Sequence, residues 1–284
     1  MAKRRDGRLL KTIRPFTLLI PYIMTKRGEA QVFARQEIIT DPIDAYLRQK
    51  REENVKLSYL HLFIALYVRV IAKRPRLNRF IINNRLYARK GIHISLAVKP
   101  SLHDEAEETT VKFSFTGKES LFEIVDQINE TLGNLHDMAA QESDLDLVIN
   151  KIMRMPGPFR KLLVEFLKFL DRHNLMPADI VDASPFHASL FFSYLKSIKT
   201  DYVYHHLYDF GTTGLFVALG SVREKAVAVD GQVMVKKCCT VGYTVDERIC
   251  DGLYLSNSFK LVKQYLEEPH LLEEGLAEIV EDIE

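Results

Sequence analysis

No run of this 284-residue chain approaches the roughly 20 apolar residues that a helix needs to cross a bilayer, which excludes a helical membrane span. No apolar stretch follows the basic N-terminus in the manner of a secretory leader, so a cytoplasmic location is expected. Cysteine is scarce: Cys238, Cys239 and Cys250 show neither metal-ligand spacing nor a disulfide framework. Neighbours in a strand point to opposite faces, so all three are expected as reduced packing residues, with no metal. A net charge of one sign is lacking too. The formal total of +1 gives no long-range attraction for nucleic acid, which is not expected as a partner. Glycine, serine and proline gather into no linker, no internal repeat is evident, and the absence of tryptophan by itself excludes nothing. What remains is a 47% hydrophobic chain, ample for the core of one large domain.

Residues 1–11 form a basic N-terminal arm, with Lys3, Arg4, Arg5, Arg8, Lys11 and, just beyond it, Arg14 against only Asp6. A solvated, mobile tail is expected; contact with phosphate or anionic lipid is the other reading. Residues 12–284 follow as a single domain. Asp41-Pro42 reads as an N-cap acid before a proline at the first helical position, with Ile43, Tyr46 and Leu47 on one face. Ser58 caps a second helix from about Tyr59 to Lys73, apolar around most of its circumference and ended by Pro75. Ile92 to Val98 and Thr109 to Phe115 alternate as strands, separated by the acidic loop Asp104 to Glu108. Ser120-Leu121-Phe122-Glu123 is a capping box opening a helix with a Leu121, Ile124, Val125, Ile128 and Leu132 stripe.

A helical insertion at about 142–183 follows. Within its helix, about 157–173, Phe159, Leu162, Leu163, Phe166, Leu167 and Leu170 share one face, with Arg160, Lys161, Glu165, Lys168, Asp171 and Arg172 elsewhere. Such a helix lies on a membrane, covers a protein partner, or packs on its own domain. The packed reading is preferred, because most amphipathic helices of globular chains bury their stripe. Strands are then expected at Ala188 to Tyr194, Tyr202 to Tyr208, Gly214 to Gly220, Lys225 to Val229 and Gln232 to Val245, with Asp230-Gly231 as a two-residue hairpin turn. Mixed strands with helices collected on one side make an α/β two-layer sandwich. Gly211-Thr212-Thr213-Gly214 lacks the Lys-Ser/Thr ending of a phosphate-binding loop.

The segment Asp246-Glu247-Arg248-Ile249-Cys250-Asp251-Gly252 carries the strongest functional signal. It resembles the Asp-His-Arg-x-x-Asp-Gly motif of the catalytic domain of the 2-oxoacid dehydrogenase acyltransferases, and the related His-x-x-x-Asp-Gly of chloramphenicol acetyltransferase. Asp246, Arg248, Asp251 and Gly252 match, and Glu247 stands in the place of the histidine. A long strand enters the motif, a helix leaves it, and Glu267-Glu268-Pro269-His270-Leu271-Leu272 resembles the family's Glu-x-Pro-x-x-Leu ending. Phe192-Ser193-Tyr194-Leu195 is similar to the family's serine region without its glycines; Pro75-Arg76-Leu77-Asn78 and Ile20-Pro21-Tyr22 match two further signatures. In order, these cover about residues 12 to 272.

The resemblance implies the chloramphenicol acetyltransferase-like fold, a homotrimer with the site between subunits, and a coenzyme A thioester as substrate. Carried over by position, Glu247 sits where the base belongs, Ser193 is the oxyanion donor, Asp251 is a structural acid, and Arg248 joins the charge network of the turn. The coenzyme A channel residues are not indicated, and no lipoyl domain is expected in this chain. A glutamate in water titrates near 4.3 and a thiol near 8.5, so proton removal from a thiol is uphill; burial can raise a carboxyl, and an amine or water is a more suitable acceptor. Two readings therefore stand: an acyltransferase with a changed base, and an inactive trimeric scaffold of the same fold. His187, His205 and His206 are candidate substitutes for the base, against a packing role among aromatics.

Overall fold

A computed structural model describes residues 4–99, 109–138 and 152–283. The acidic loop and the first part of the insertion lie outside them. Ten strands are described: β1 (Gly7–Leu9), β2 (Gln31–Ile39), β3 (Arg79–Ile82), β4 (Arg85–Arg89), β5 (Ile92–Val98), β6 (Thr109–Phe115), β7 (Leu190–Ser193), β8 (Leu215–Leu219), β9 (Arg223–Val229) and β10 (Gln232–Asp246). The helices are α1 (Pro15–Ile23), α2 (Asp41–Glu52), α3 (Tyr59–Lys73), α4 (Leu121–Met138), α5 (Gly157–Arg172), α6 (Ala178–Ala183) and α7 (Gly252–Glu267).

The main sheet runs β2-β10-β8-β7-β5-β6, with β9 paired to the first half of β10; a smaller sheet runs β1-β4-β3. β7 is parallel to both β5 and β8, and the other pairings are antiparallel, so the sheet is mixed. Alternation decides its two faces. Ile94, Leu96, Leu190, Phe192, Val217, Val241 and Tyr243 point into the main core, which α3, α4 and α7 complete. Phe191, Phe216 and Ala218 point the other way, into a smaller cluster with Leu207. α3 is buried along nearly its whole length, as its all-round apolar sequence requires, and the Ser58 hydroxyl accepts from the His61 amide at 3.3 Å. Asp230 and Gly231 turn the β9–β10 hairpin with φ of 50° and 78°, the paired positive values that an Asp-Gly turn supplies.

Four expectations are corrected. The N-terminal arm is not a solvated tail. β1 pairs with β4, and buried Arg4 bonds to Asp6 and to Asp171, because an arginine with two carboxylates in reach gains more from them than from water. The segment 202–208 is not a strand. It crosses the outer face of the sheet as coil, burying Leu207 against Phe191 and Phe216, and it lies so close that a Cβ on Gly242 would meet the Val203 carbonyl oxygen at 2.5 Å. The cap of α2 is Thr40, whose carbonyl accepts from the Asp44 amide at 2.8 Å, which makes Asp41 the first helical residue. Finally, α5 buries its stripe only in part: Leu163, Leu167 and Leu170 are half-buried, whereas Phe159, Leu162 and Phe166, with Phe169 beside them, are exposed, and Asp171 is its buried residue.

Candidate active site

β10 delivers the motif. Its last residue, Asp246, is buried, and its carboxylate accepts from Arg248 Nε at 2.7 Å and Nη2 at 2.6 Å, a two-pronged pair that closes the turn onto itself. Arg27 Nε lies 3.6 Å from the same carboxylate, and the Arg27 guanidinium is further bound by the carbonyls of Ile81, Gly211 and Tyr208. Burial pulls Arg27 below the ordinary arginine range, with Asp246 opposing. Arg248 Nη1 donates to the Met24 carbonyl at 2.8 Å and so holds the end of α1 against the turn. Asp251 caps α7: its side chain accepts from the Tyr254 amide at 2.8 Å and pairs with Arg76 at 3.1 Å. That amide and then the Arg76 charge hold the Asp251 carboxyl below the usual carboxylate range.

These contacts set the backbone at Glu247, whose amide donates to the Ala30 carbonyl at 2.9 Å while its carboxylate is exposed. Glu247 faces a cleft of about 650 Å³ whose wall includes Arg14, Arg76, Arg79, Phe16 and Cys250. Arg79 is committed to Asp282 through two bonds of 2.6 Å and Arg248 to Asp246, both in buried pairs, whereas Arg76 meets Asp251 in an exposed pair that a ligand can compete for, so Arg14 and then Arg76 are the cations best placed to meet a ligand. Cys250 is no nucleophile, since burial pushes its thiol up to about 12. Among the described residues, no group of His, Cys, Asp and Glu is arranged to hold a metal ion.

Ser193 ends β7, half-buried, on the face opposite the main core. It is paired with Ala218, and Ala218 with Gly242. Glu247 lies five residues beyond Gly242, just past the end of β10, so the two backbone positions stand roughly 19 Å apart, about 17 Å along the strands and two strand spacings across. One chain does not bring them together. The histidines divide. His187 is buried between the Ser184 hydroxyl at 2.8 Å and Asp171 at 3.1 Å. Burial alone would raise Asp171, but His187 and Arg4 outweigh it and hold that carboxyl low. His205 stacks on Phe216 with ring centres 4.1 Å apart, on the same sheet face as Ser193, and His206 lies beside it. Arg27 was not signalled by the sequence, and Arg14 only as one charge of the basic N-terminus, because their places at this turn depend on folding that brings together residues more than 200 positions apart.

Residues 214–273 match the model of the 2-oxoacid dehydrogenases acyltransferase catalytic domain, a stretch that contains the whole turn. A probable dihydrolipoamide acetyltransferase from Listeria monocytogenes 4b F2365 is 14% identical, with 91% of this chain and 94% of that one covered and a TM-score of 0.56. The dihydrolipoamide acetyltransferase of Azotobacter vinelandii is 15% identical, with 92% and 93% covered and a TM-score of 0.57. A chloramphenicol acetyltransferase is 12% identical over 92% and 99%, with a TM-score of 0.53. At these identities the structures establish the fold, which is the chloramphenicol acetyltransferase-like sandwich. Among curated proteins, no relative matches by sequence.

Proposed function

We propose that the chain is a coenzyme A-dependent acyltransferase with an altered base, working as a homotrimer in which Glu247 of one copy meets Ser193 of the next. The observation that carries this reading is the placement of Glu247, held by its backbone on the lip of an arginine-walled cleft and well away from Ser193 of the same chain. The exposed apolar residues of the β9–β10 ribbon, Val233 and Val235, at 79% and 69%, support a neighbouring copy. Arg14 and Arg76 supply positive charge suited to the phosphates of a coenzyme A thioester.

Deprotonating a thiol with an ordinary carboxylate costs roughly 6 kcal/mol, which argues for an amine or water as acceptor. A neutral amine attacks the thioester carbonyl without prior deprotonation. The oxyanion accepts a hydrogen bond from Ser193, Glu247 takes the proton that the new C–N bond makes acidic, and the C–S bond breaks to release the coenzyme thiol once that proton is passed on.

Release of free thiol from a panel of acyl-coenzyme A thioesters, with amines as acceptors, tests the reading. Glu247→Ala is expected to abolish turnover, and Ser193→Ala to lower it by about 10²–10³-fold. Turnover indifferent to Glu247→Ala removes Glu247 from the mechanism. The exposure of the Glu247 carboxylate favours a second reading, an inactive scaffold. In that case Glu247→His stays inert toward a dithiol acceptor, whereas an intact site gains transfer.

A further inference from the structure

α5 leaves one edge of its apolar stripe in solvent, while Leu163, Leu167 and Leu170 along the other edge are half-buried. Phe159, Leu162, Phe166 and Phe169 are 58%, 67%, 52% and 49% exposed, along one side of 16 residues. Its anchorage is at the C-terminal end, where Asp171 is buried against Arg4 and His187. The charge on the rest of the helix is mainly positive: Glu165 is paired with Lys168 at 2.8 Å, which leaves Arg160, Lys161 and Arg172 without a free carboxylate on the same helix to balance them. Lys168 and Arg172 also line, with Lys26, a cleft of about 490 Å³ next to the helix.

We infer that α5 seats the protein on the surface of a bilayer that contains anionic lipid. Leu162, Phe166 and Phe169 enter the boundary between headgroups and acyl chains, and Lys161 and Arg172 reach the phosphates, with their aliphatic stems lying toward the apolar stripe. Sixteen residues make a helix of about 24 Å, too short and too charged to cross, so it lies in the interface plane. A protein partner fits less well, because protein interfaces are depleted in lysine and here the helix carries the exposed Lys161.

The test is flotation of the full chain with vesicles of phosphatidylcholine alone and of phosphatidylcholine with phosphatidylserine, alongside light scattering for mass. Binding to the anionic vesicles is expected, weakened by salt and stronger than to the neutral ones. Leu162→Glu with Phe166→Glu is expected to abolish it without moving the melting temperature, since these side chains contact little of the fold. Lys161→Gln with Arg172→Gln is expected to weaken binding roughly 30-fold, from about 1 kcal/mol per basic residue near an anionic surface. Equal binding to both vesicles overturns the anionic preference. Absence of binding overturns the whole inference; if the Leu162→Glu, Phe166→Glu variant then loses mass, a second copy covers the stripe instead.

Discussion

Removing the carboxylate of Asp246 is expected to destabilise the protein more than any surface change near the turn. In Asp246→Ala, Arg248 loses both charge-assisted bonds and Arg27 loses its nearest counter-charge, and both guanidiniums are buried. An uncompensated buried charge costs about 3–5 kcal/mol. Asp246→Asn keeps the shape and one acceptor oxygen, so its cost is expected to be smaller, about 2–3 kcal/mol, the worth of a hydrogen bond to a charged group. At about 2–4 °C per kcal/mol, the alanine variant melts roughly 6–20 °C lower. Urea midpoints supply the assay, with Arg248→Met added to complete a double-mutant cycle. If the cost comes from stranding a cation, the double variant recovers at least about 1 kcal/mol relative to Asp246→Ala. An alanine variant that loses less than about 1 kcal/mol, or a double variant that is strictly additive, refutes the reasoning.

Two further outcomes follow from the geometry. Gly211 has φ of +80°, and a Cβ there would stand 2.2 Å from the Phe186 carbonyl oxygen, so Gly211→Ala is expected to cost about 2–4 kcal/mol in chemical denaturation; a neutral result would mean that the turn is not closed as described. Burial, then the charges of Arg89 and Lys112, push the His93 imidazole down to about 4 from 6.5. Its proton binds more readily to the unfolded chain, so its contribution is fully present above about pH 6.5 and is lost as the pH falls toward about 4. His93→Gln should flatten the pH dependence of the urea midpoint across that window, and an unchanged slope would exclude His93 as its source.

Much of the fold was legible because local rules and tertiary packing agree. α3 runs from Tyr59 to Lys73, and β5 and β6 span Ile92–Val98 and Thr109–Phe115, where alternation, capping and burial all point one way. The failures have one physical cause, a partner far away in sequence. The alternation in 202–208 suits a strand, but the segment lies across the outer face of the sheet, where Leu207 covers Phe191 and Phe216, and joins no ladder. The basic arm reads as solvated until Asp171 comes within reach of Arg4, 167 residues away. At the site, the resemblance implied a shared chemistry for Glu247 and Ser193. Their separation within a chain is set by the register of three strands and has no trace in spacing along the sequence.

The pairing of β10 also has a consequence for biosynthesis. β2 takes its sheet partner from β10 alone in the main-sheet order, in the register Asp246 to Gln31 through Cys238 to Ile39. During synthesis, β2 therefore leaves the ribosome about 200 residues before the strand that pairs with it, a wait of roughly 10–40 s at ordinary elongation rates. Through that interval a nine-residue segment bearing Val32, Phe33, Ile38 and Ile39 has no native ladder and is open to pairing with other strands.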